Sequence, residues 1–466
     1  MLKRRPRQNN DNATNGADKL RDLLTRPVGR LLWEYSLPTV IGTVVMSLYN
    51  VIDRIFIGRG VGSDAIAGLT ITFPVMNLAA ALGVLIGAGA SARVSIMLGA
   101  KDEKGAHLVL GNSLVLILIN AIIYLTFFAI FLDEILIAFG ASPATLPYAR
   151  DFVLYILPGM LVMNVTFSFN NIMRASGYPN RAMVTMLIGA GANLILAPIF
   201  IFTLDLGIKG AAIATDIAMT ISAAFVMAHF FDPRSTLRFR RGIYRLKWRI
   251  VLSITAIGAA PSLINAASSA INAIINTTLR DYGDNAIAAA GIFATYTSLL
   301  CMVIVGLCQG MQPIIGYNYG AGRADRAIST LWLTVGVSSA VSIGGCVFGL
   351  LCPDLIVKAF TIDTVLIDVT VKALSITLVM FWIVGFQIVA TNFFMSIGKA
   401  GRSIFLSLTR QVLFLIPMLL ILPRHFGLQG VWASFPASDT LATVVTAAMI
   451  GWELRHFMKL TSPTRI

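Results

Sequence analysis

What this chain has little of is charge: Asp, Glu, Lys and Arg together make up 12% of its 466 residues, against 57% hydrophobic. So few charges cannot cover so apolar a chain with a water-soluble surface, which excludes an ordinary soluble globular protein. Cysteine is scarce as well. Cys301, Cys308, Cys346 and Cys352 show no metal-ligand spacing and sit in or beside apolar runs, so they read as small apolar fillers. The four histidines, His107, His229, His425 and His456, are scattered near the ends of apolar runs. No HExxH, GxSxG or phosphate-binding glycine loop is found, so the chain is not expected to be an enzyme and no cofactor is expected. The short alternating segments of a β-barrel are missing too. The first 30 residues are polar and lack a short apolar core ending in a cleavage site, so no removable signal peptide is expected.

What the chain does have is long apolar runs. At about 20 residues per span, spans are expected near 33–58, 66–95, 106–131, 151–173, 182–203, 210–231, 250–279, 287–316, 327–351, 370–396, 404–423 and 429–452. The fold class is therefore an all-α integral membrane protein of twelve transmembrane helices. Its net charge of +14 is placed for topology rather than for nucleic acid. Of 36 Lys and Arg, 26 fall in the two terminal segments, the central linker and the turns near 101, 178, 323 and 400, while six fall in the loops between. By the positive-inside rule both termini and the linker are expected in the cytoplasm of a prokaryotic plasma membrane.

The two halves repeat. A shift of 221 carries Ala65-Ile66-Ala67 onto Ala286-Ile287-Ala288, Gly99-Ala100 onto Gly320-Ala321, Asn171 onto Asn392, Gly177 onto Gly398 and Arg181 onto Arg402. An internal duplication reads this way. Six spans per half give both copies the same orientation, so they form a parallel repeat about an axis along the membrane normal. The expected organisation is a basic cytoplasmic tail 1–30, a six-helix bundle 31–231, a basic linker 232–249 lying on anionic headgroups, a second bundle 250–452 and a tail 453–466.

Polar residues inside the spans are the candidates for function, because a carboxylate at membrane depth persists mainly where it faces a cavity or a partner. Asp53 lies in the first span, with Tyr49 one turn earlier on the same face, and Pro38 permits a bend in that helix. Asn193 in the fifth span and Thr215 and Asp216 in the sixth form a second cluster. In the second half, Asn276 stands 15 residues after Pro261, as Asp53 does after Pro38. Gln309 and Gln312 lie in the eighth span, Arg410 and Gln411 in the eleventh, and Asp439 in the twelfth, where Arg410 and Asp439 fit a buried structural pair. The acidic first half is the expected seat of ion coupling. The cavity between the halves is expected to take substrate, lined by Asn171, Asn276, Gln309, Gln312, Arg410 and Gln411.

The segments FNNIMRASGYPNRAM, LGIKGAAIAT, QGMQPIIGYNYGAGRADRA, IGKAGRSIFLSLTRQVLFLIP and FGLQGVWASFPASD resemble those of the multidrug and toxic compound extrusion (MATE) transporters, in their DinF-like and MepA-like branch. The resemblance covers about residues 28–455. It implies a V-shaped twelve-helix carrier, expected to be a monomer, that exports cationic amphiphilic compounds in exchange for protons or sodium ions. It further implies that Asp53, Tyr49, Asn193 and Thr215 handle the coupling ion, with sodium held at Asp53, Asn193 and Thr215, and that Pro38 is the hinge. One position departs: where such transporters often have an acid four residues after the asparagine, NLILAP places Ala197, and Asp216 is the candidate replacement. The rival reading is a flippase for lipid-linked oligosaccharide or polysaccharide, whose cavity needs cations for a pyrophosphate.

Overall fold

The structure is a computed structural model that describes residues 16–60, 63–139, 141, 143 and 145–461, and every regular element among them is helical. A short α1 (Gly16–Thr25) precedes the first half: α2 (Val28–Gly60), α3 (Ser63–Gly99), α4 (Glu103–Ala138), α5 (Leu146–Ala175), α6 (Pro179–Pro198) and α7 (Gly207–Phe231). The second half holds α8 (Trp248–Arg280), α9 (Asp284–Gly320), α10 (Ala324–Leu351), α11 (Pro353–Lys358), α12 (Thr364–Thr377), α13 (Val384–Ser396), α14 (Ala400–Leu408) and α15 (Ile416–Thr461). Helix starts follow local chemistry. Asp102 caps α4 by accepting from the Gly105 N–H at 2.8 Å, and Asp363 caps α12 by accepting from Val365 at 2.9 Å. Pro179 and Pro353 open α6 and α11, where the missing N–H is no loss.

Among the described residues, ten helical stretches are long and apolar enough to span, and α12 with the bent continuation Phe381–Ser396 makes an eleventh at a 52° bend. One of the ten, Ala400–Arg455, has 56 residues. Straight, it would measure about 84 Å against a hydrocarbon core of about 30 Å. It is not straight: Gly427, inside α15, has φ 58 and ψ −141. Arg410 and Asp439, 29 positions apart, meet at 2.6 Å, where a straight helix would hold them about 43 Å apart. The stretch therefore folds back at Gly427, and the twelve spans read from the sequence are accounted for.

The duplication extends to single interactions. Both α3 and α9 run for 37 residues and start 221 positions apart. Left-handed residues recur at the same shift, Lys101 with Gly322 and Gly177 with Gly398. The ion pair Arg181–Asp232 in the first half recurs as Arg402–Glu453 in the second. Contacts between the halves are reciprocal too. A Cβ on Gly99 would lie 2.0 Å from the Tyr317 carbonyl oxygen, and one on Gly320 would lie 2.0 Å from that of Ile96, the shifted equivalent of Tyr317. Such mutual contact defines a two-fold relation between the halves. Glycine lets the backbones touch where any side chain would hold them apart.

All of these cross-half contacts lie at the end that carries the basic turns. The largest core cluster sits there and mixes both halves, with Phe169 and Ile172 beside Ile314 and Phe393. Toward the opposite end, separate clusters form: one built on α2 to α7, and two built on the second half. Among the described residues, the core is shared between the halves at the basic end and separate at the other.

The structure adds packing detail at both termini and in the linker. Part of the segment 1–30 is not a tail: Leu20 and Leu23 of α1 are buried, and the Leu23 carbonyl accepts from Asn318 and Arg326 of the second half. The linker does not simply lie on a surface. Leu237 and Ile243 are buried, and Asn112 of α4 donates to the carbonyls of Ile243 and Arg245 and accepts from the Lys247 N–H. The chain after 452 stays helical to Thr461, and Glu453 is fully buried against Lys399 and Arg402. Among the cysteines, Cys308 and Cys346 are buried fillers, Cys301 is half-buried and Cys352 is exposed.

Candidate functional site

Tyr49 and Asp53 are one turn apart on α2 and face a cavity of about 310 Å³ inside the first half. Asn193 of α6 and Thr215 of α7 meet them from the other side. The Asn193 amide donates to the Thr215 hydroxyl at 2.8 Å, which in turn donates to the Ala211 carbonyl at 2.9 Å. Tyr49 lines the same cavity as Asp53 and Thr215. One carboxylate, one amide and two hydroxyls thus converge. Oxygen donors of this kind suit a proton or a hard cation such as sodium. Ala197, one turn beyond Asn193, is fully buried and apolar, so Asp53 is the one carboxylate lining this cavity among the described residues.

At the basic end the cavity floor is made by Asn170, Asn171 and Arg174 of α5 and by Gln309 of α9, which reaches in from the other half. Arg174 donates to Asn170 Oδ1 at 3.0 Å and to Gln309 Oε1. Counting charges along the chain puts Arg174 with the basic turn near 178, whereas it is buried here and lines the cavity. The legible signal was its spacing: Asn170 and Arg174 are four apart and share a helix face.

The second half holds a larger cavity of about 640 Å³, lined by Asn276, Arg410, Gln411 and Asp439 with aromatic walls from Phe293, Phe381 and Phe435. Arg410 and Gln411 sit on the π-helical stretch Thr409–Leu415, whose wider turn re-aims side chains relative to an α-helix. Arg410 Nε donates to Asp439 Oδ1 at 2.6 Å, and Gln387 braces the Asp439 carbonyl at 2.9 Å.

The candidate residues are therefore sorted into two cavities, one per half, rather than one between them. Asp53, Tyr49, Asn193, Thr215, Asn171 and Gln309 line the first; Asn276, Arg410 and Gln411 line the second. Three residues, Gln312, Asp216 and Pro38, line neither. Gln312 donates to the Ala88 carbonyl at 3.3 Å and ties α9 to α3. Asp216 lies 100° around α7 from Thr215 and packs on Gly159 of α5, where a Cβ would come within 1.7 Å of its carboxylate. It is not among the residues that line the cavity beside Asn193. Pro38 lies within a continuous α2, between Ser36 and Val40, which pack on Gly310 and Gly306 of α9.

Two like-oriented helical halves, each with its own cavity, define a multi-pass membrane protein of the repeated-bundle class. The MatE family model matches twice, over residues 38–199 and 261–421, once in each half. The chain belongs to the MATE family of membrane multidrug efflux transporters. It is 28% identical to the multidrug export protein MepA of Staphylococcus aureus over 432 residues, covering 91% of this chain and 93% of MepA. It is 30% identical to the MepA of Staphylococcus haemolyticus, covering 92% and 94%. A solved structure described as the outward-facing conformation of a multidrug resistance MATE family transporter superposes with a TM-score of 0.88 at 25% identity, over 97% of this chain and 100% of that one.

Proposed function

We propose that this chain is a secondary active multidrug efflux antiporter, which exports cationic amphiphilic compounds across the cytoplasmic membrane in exchange for protons or sodium ions. The observation that carries the reading is the placement of Asp53 in the first-half cavity beside Tyr49, Asn193 and Thr215. A cation and a coupling ion both seek this carboxylate, and a site that serves them in turn makes exchange possible. The coupling ion shifts the conformation only by binding the two states unequally. Asp53 and Asn193 lie on α2 and α6, so an ion bound between them pulls these helices together. On α2 the same motion reaches the stretch around Pro38 that packs against α9.

The positive-inside bias puts the basic end in the cytoplasm, so the structure corresponds to an outward-open state: joined inside, divided outside. Opening inward requires α3 and α9, and with them α2 and α8, to part along their glycine contacts. The walls of the first cavity are apolar and rich in methionine, which fits an adaptable, poorly selective surface. A pyrophosphate-linked lipid needs several free cations. Arg410 is already paired with Asp439, which leaves Arg174 alone among the described cavity residues and disfavours the flippase reading.

The test is efflux of a lipophilic cationic dye from energised cells expressing Asp53→Asn. Ion-dependent efflux should be abolished while the protein is still inserted. Efflux at the wild-type level would remove Asp53 from the mechanism.

A further inference from the structure

The floor of the first-half cavity holds a buried cation that ion coupling does not use. Arg174 is 4% exposed, and both of its acceptors, Asn170 and Gln309, are neutral. None of the ion pairs among the described residues includes it. A guanidinium taken out of water without a counter-charge is costly, and a buried ionised group whose partners are all neutral points to a ligand.

The cavity is dipolar along its length. Asp53 and Arg174 are the only Asp, Glu, Lys or Arg among its described lining residues. Gly159, against which Asp216 packs, marks the level of Thr215 on α5. Arg174 lies 15 residues further along that helix, about 22 Å toward the basic end. Between the two charges the walls are apolar, with Met46, Met163, Phe167 and Met186.

We propose that Arg174, with Asn170 and Gln309, forms an anion subsite that takes the carboxylate of zwitterionic amphiphiles, whose cationic end points toward Asp53. The planar guanidinium fork donates two parallel hydrogen bonds to a carboxylate, which replace its bonds to the two neutral amides. Gln309 comes from the second half, so a bound carboxylate also takes over a contact that ties the halves together. The ligand's anion thereby loosens the floor it rests on. This deepens the export reading and rests on it.

The test compares a xanthene dye carrying a free carboxylate with its methyl ester, binding each to purified full-length protein by fluorescence. Arg174→Gln should weaken the acid about tenfold, the size of one charge-assisted hydrogen bond, and leave the cationic ester within about twofold. Asn170→Asp, which supplies an internal counter-ion to Arg174, should weaken the acid in the same selective way. It decides the matter if Arg174→Gln fails to fold. Equal losses for acid and ester in these variants, or unchanged binding of the acid, would overturn the subsite. Wild-type protein that binds the ester but not the acid would also overturn it and leave the export of cations standing. Wild-type protein that binds neither dye would overturn both.

Discussion

Thr215 holds two jobs at once, accepting from Asn193 and donating to its own helix at Ala211. Replacing it with valine keeps the volume and strands a buried amide, at a cost of about 1–3 kcal/mol. The expected outcome for Thr215→Val is a lower melting temperature in detergent together with a higher half-saturating ion concentration for dye efflux. Unchanged ion dependence would detach Thr215 from the coupling site. Asp216, one residue on, is expected to behave differently. Its carboxylate packs on Gly159, away from the cavity, so Asp216→Asn should keep gradient-driven efflux within about twofold of wild type. The contrast between these neighbours was partly legible, since helical periodicity turns them about 100° apart. Which of the two faces the cavity depends on what α5 presents, and Gly159 is the residue that makes room for the acid. The burial of Arg174 was hidden for another reason, although its spacing from Asn170 was legible. Arg174 ends a span, where hydropathy cannot separate a residue in a turn from one folded under a cavity floor.

At the scale of elements, the spans and their duplication were legible because long apolar runs and a constant 221-residue shift need no tertiary information. The fold-back at Gly427, the bend between α12 and α13 and the π-helical stretches were not legible, because packing decides them. Nor was the docking of α1, whose Leu20 and Leu23 form too short an apolar stripe to register as a span. The glycines between the halves carry a direct prediction. A side chain on Gly258 would place its Cβ 1.8 Å from the Leu85 carbonyl oxygen, and neither backbone has room to yield. Gly258→Val should disfavour closure of the basic end by about 1–3 kcal/mol. Maleimide labelling of a cysteine at position 309, in a cysteine-free background, should rise accordingly from the basic side. Gly191→Ala, where nothing lies within 4 Å, should leave the labelling unchanged. In the second half, Arg410→Gln leaves Asp439 buried and unpaired, at a cost of about 3–5 kcal/mol. Thermal unfolding should show that loss, and the double replacement of Arg410 and Asp439 by leucine should recover most of it.

For the whole molecule, the two copies share a scaffold and differ in chemistry. The ion pair Arg181–Asp232 is kept as Arg402–Glu453, and the glycines at the two-fold contact are kept as well. The cavities have diverged: the first offers Asp53 and Arg174 at separate levels, while the second neutralises its acid in the Arg410–Asp439 pair. The first half is thus suited to exchange one charge for another. In the proposed antiport, the joined basic end and divided opposite end are the two sides between which exchange would alternate. The most direct measurement uses proteoliposomes holding wild-type or Asp53→Asn protein, with proton and sodium gradients imposed separately and accumulation of a lipophilic cationic dye recorded. Wild-type protein should accumulate dye against its own gradient when at least one ion gradient is imposed, and Asp53→Asn should do so with neither. Gradient-driven accumulation by Asp53→Asn at the wild-type rate would contradict the account.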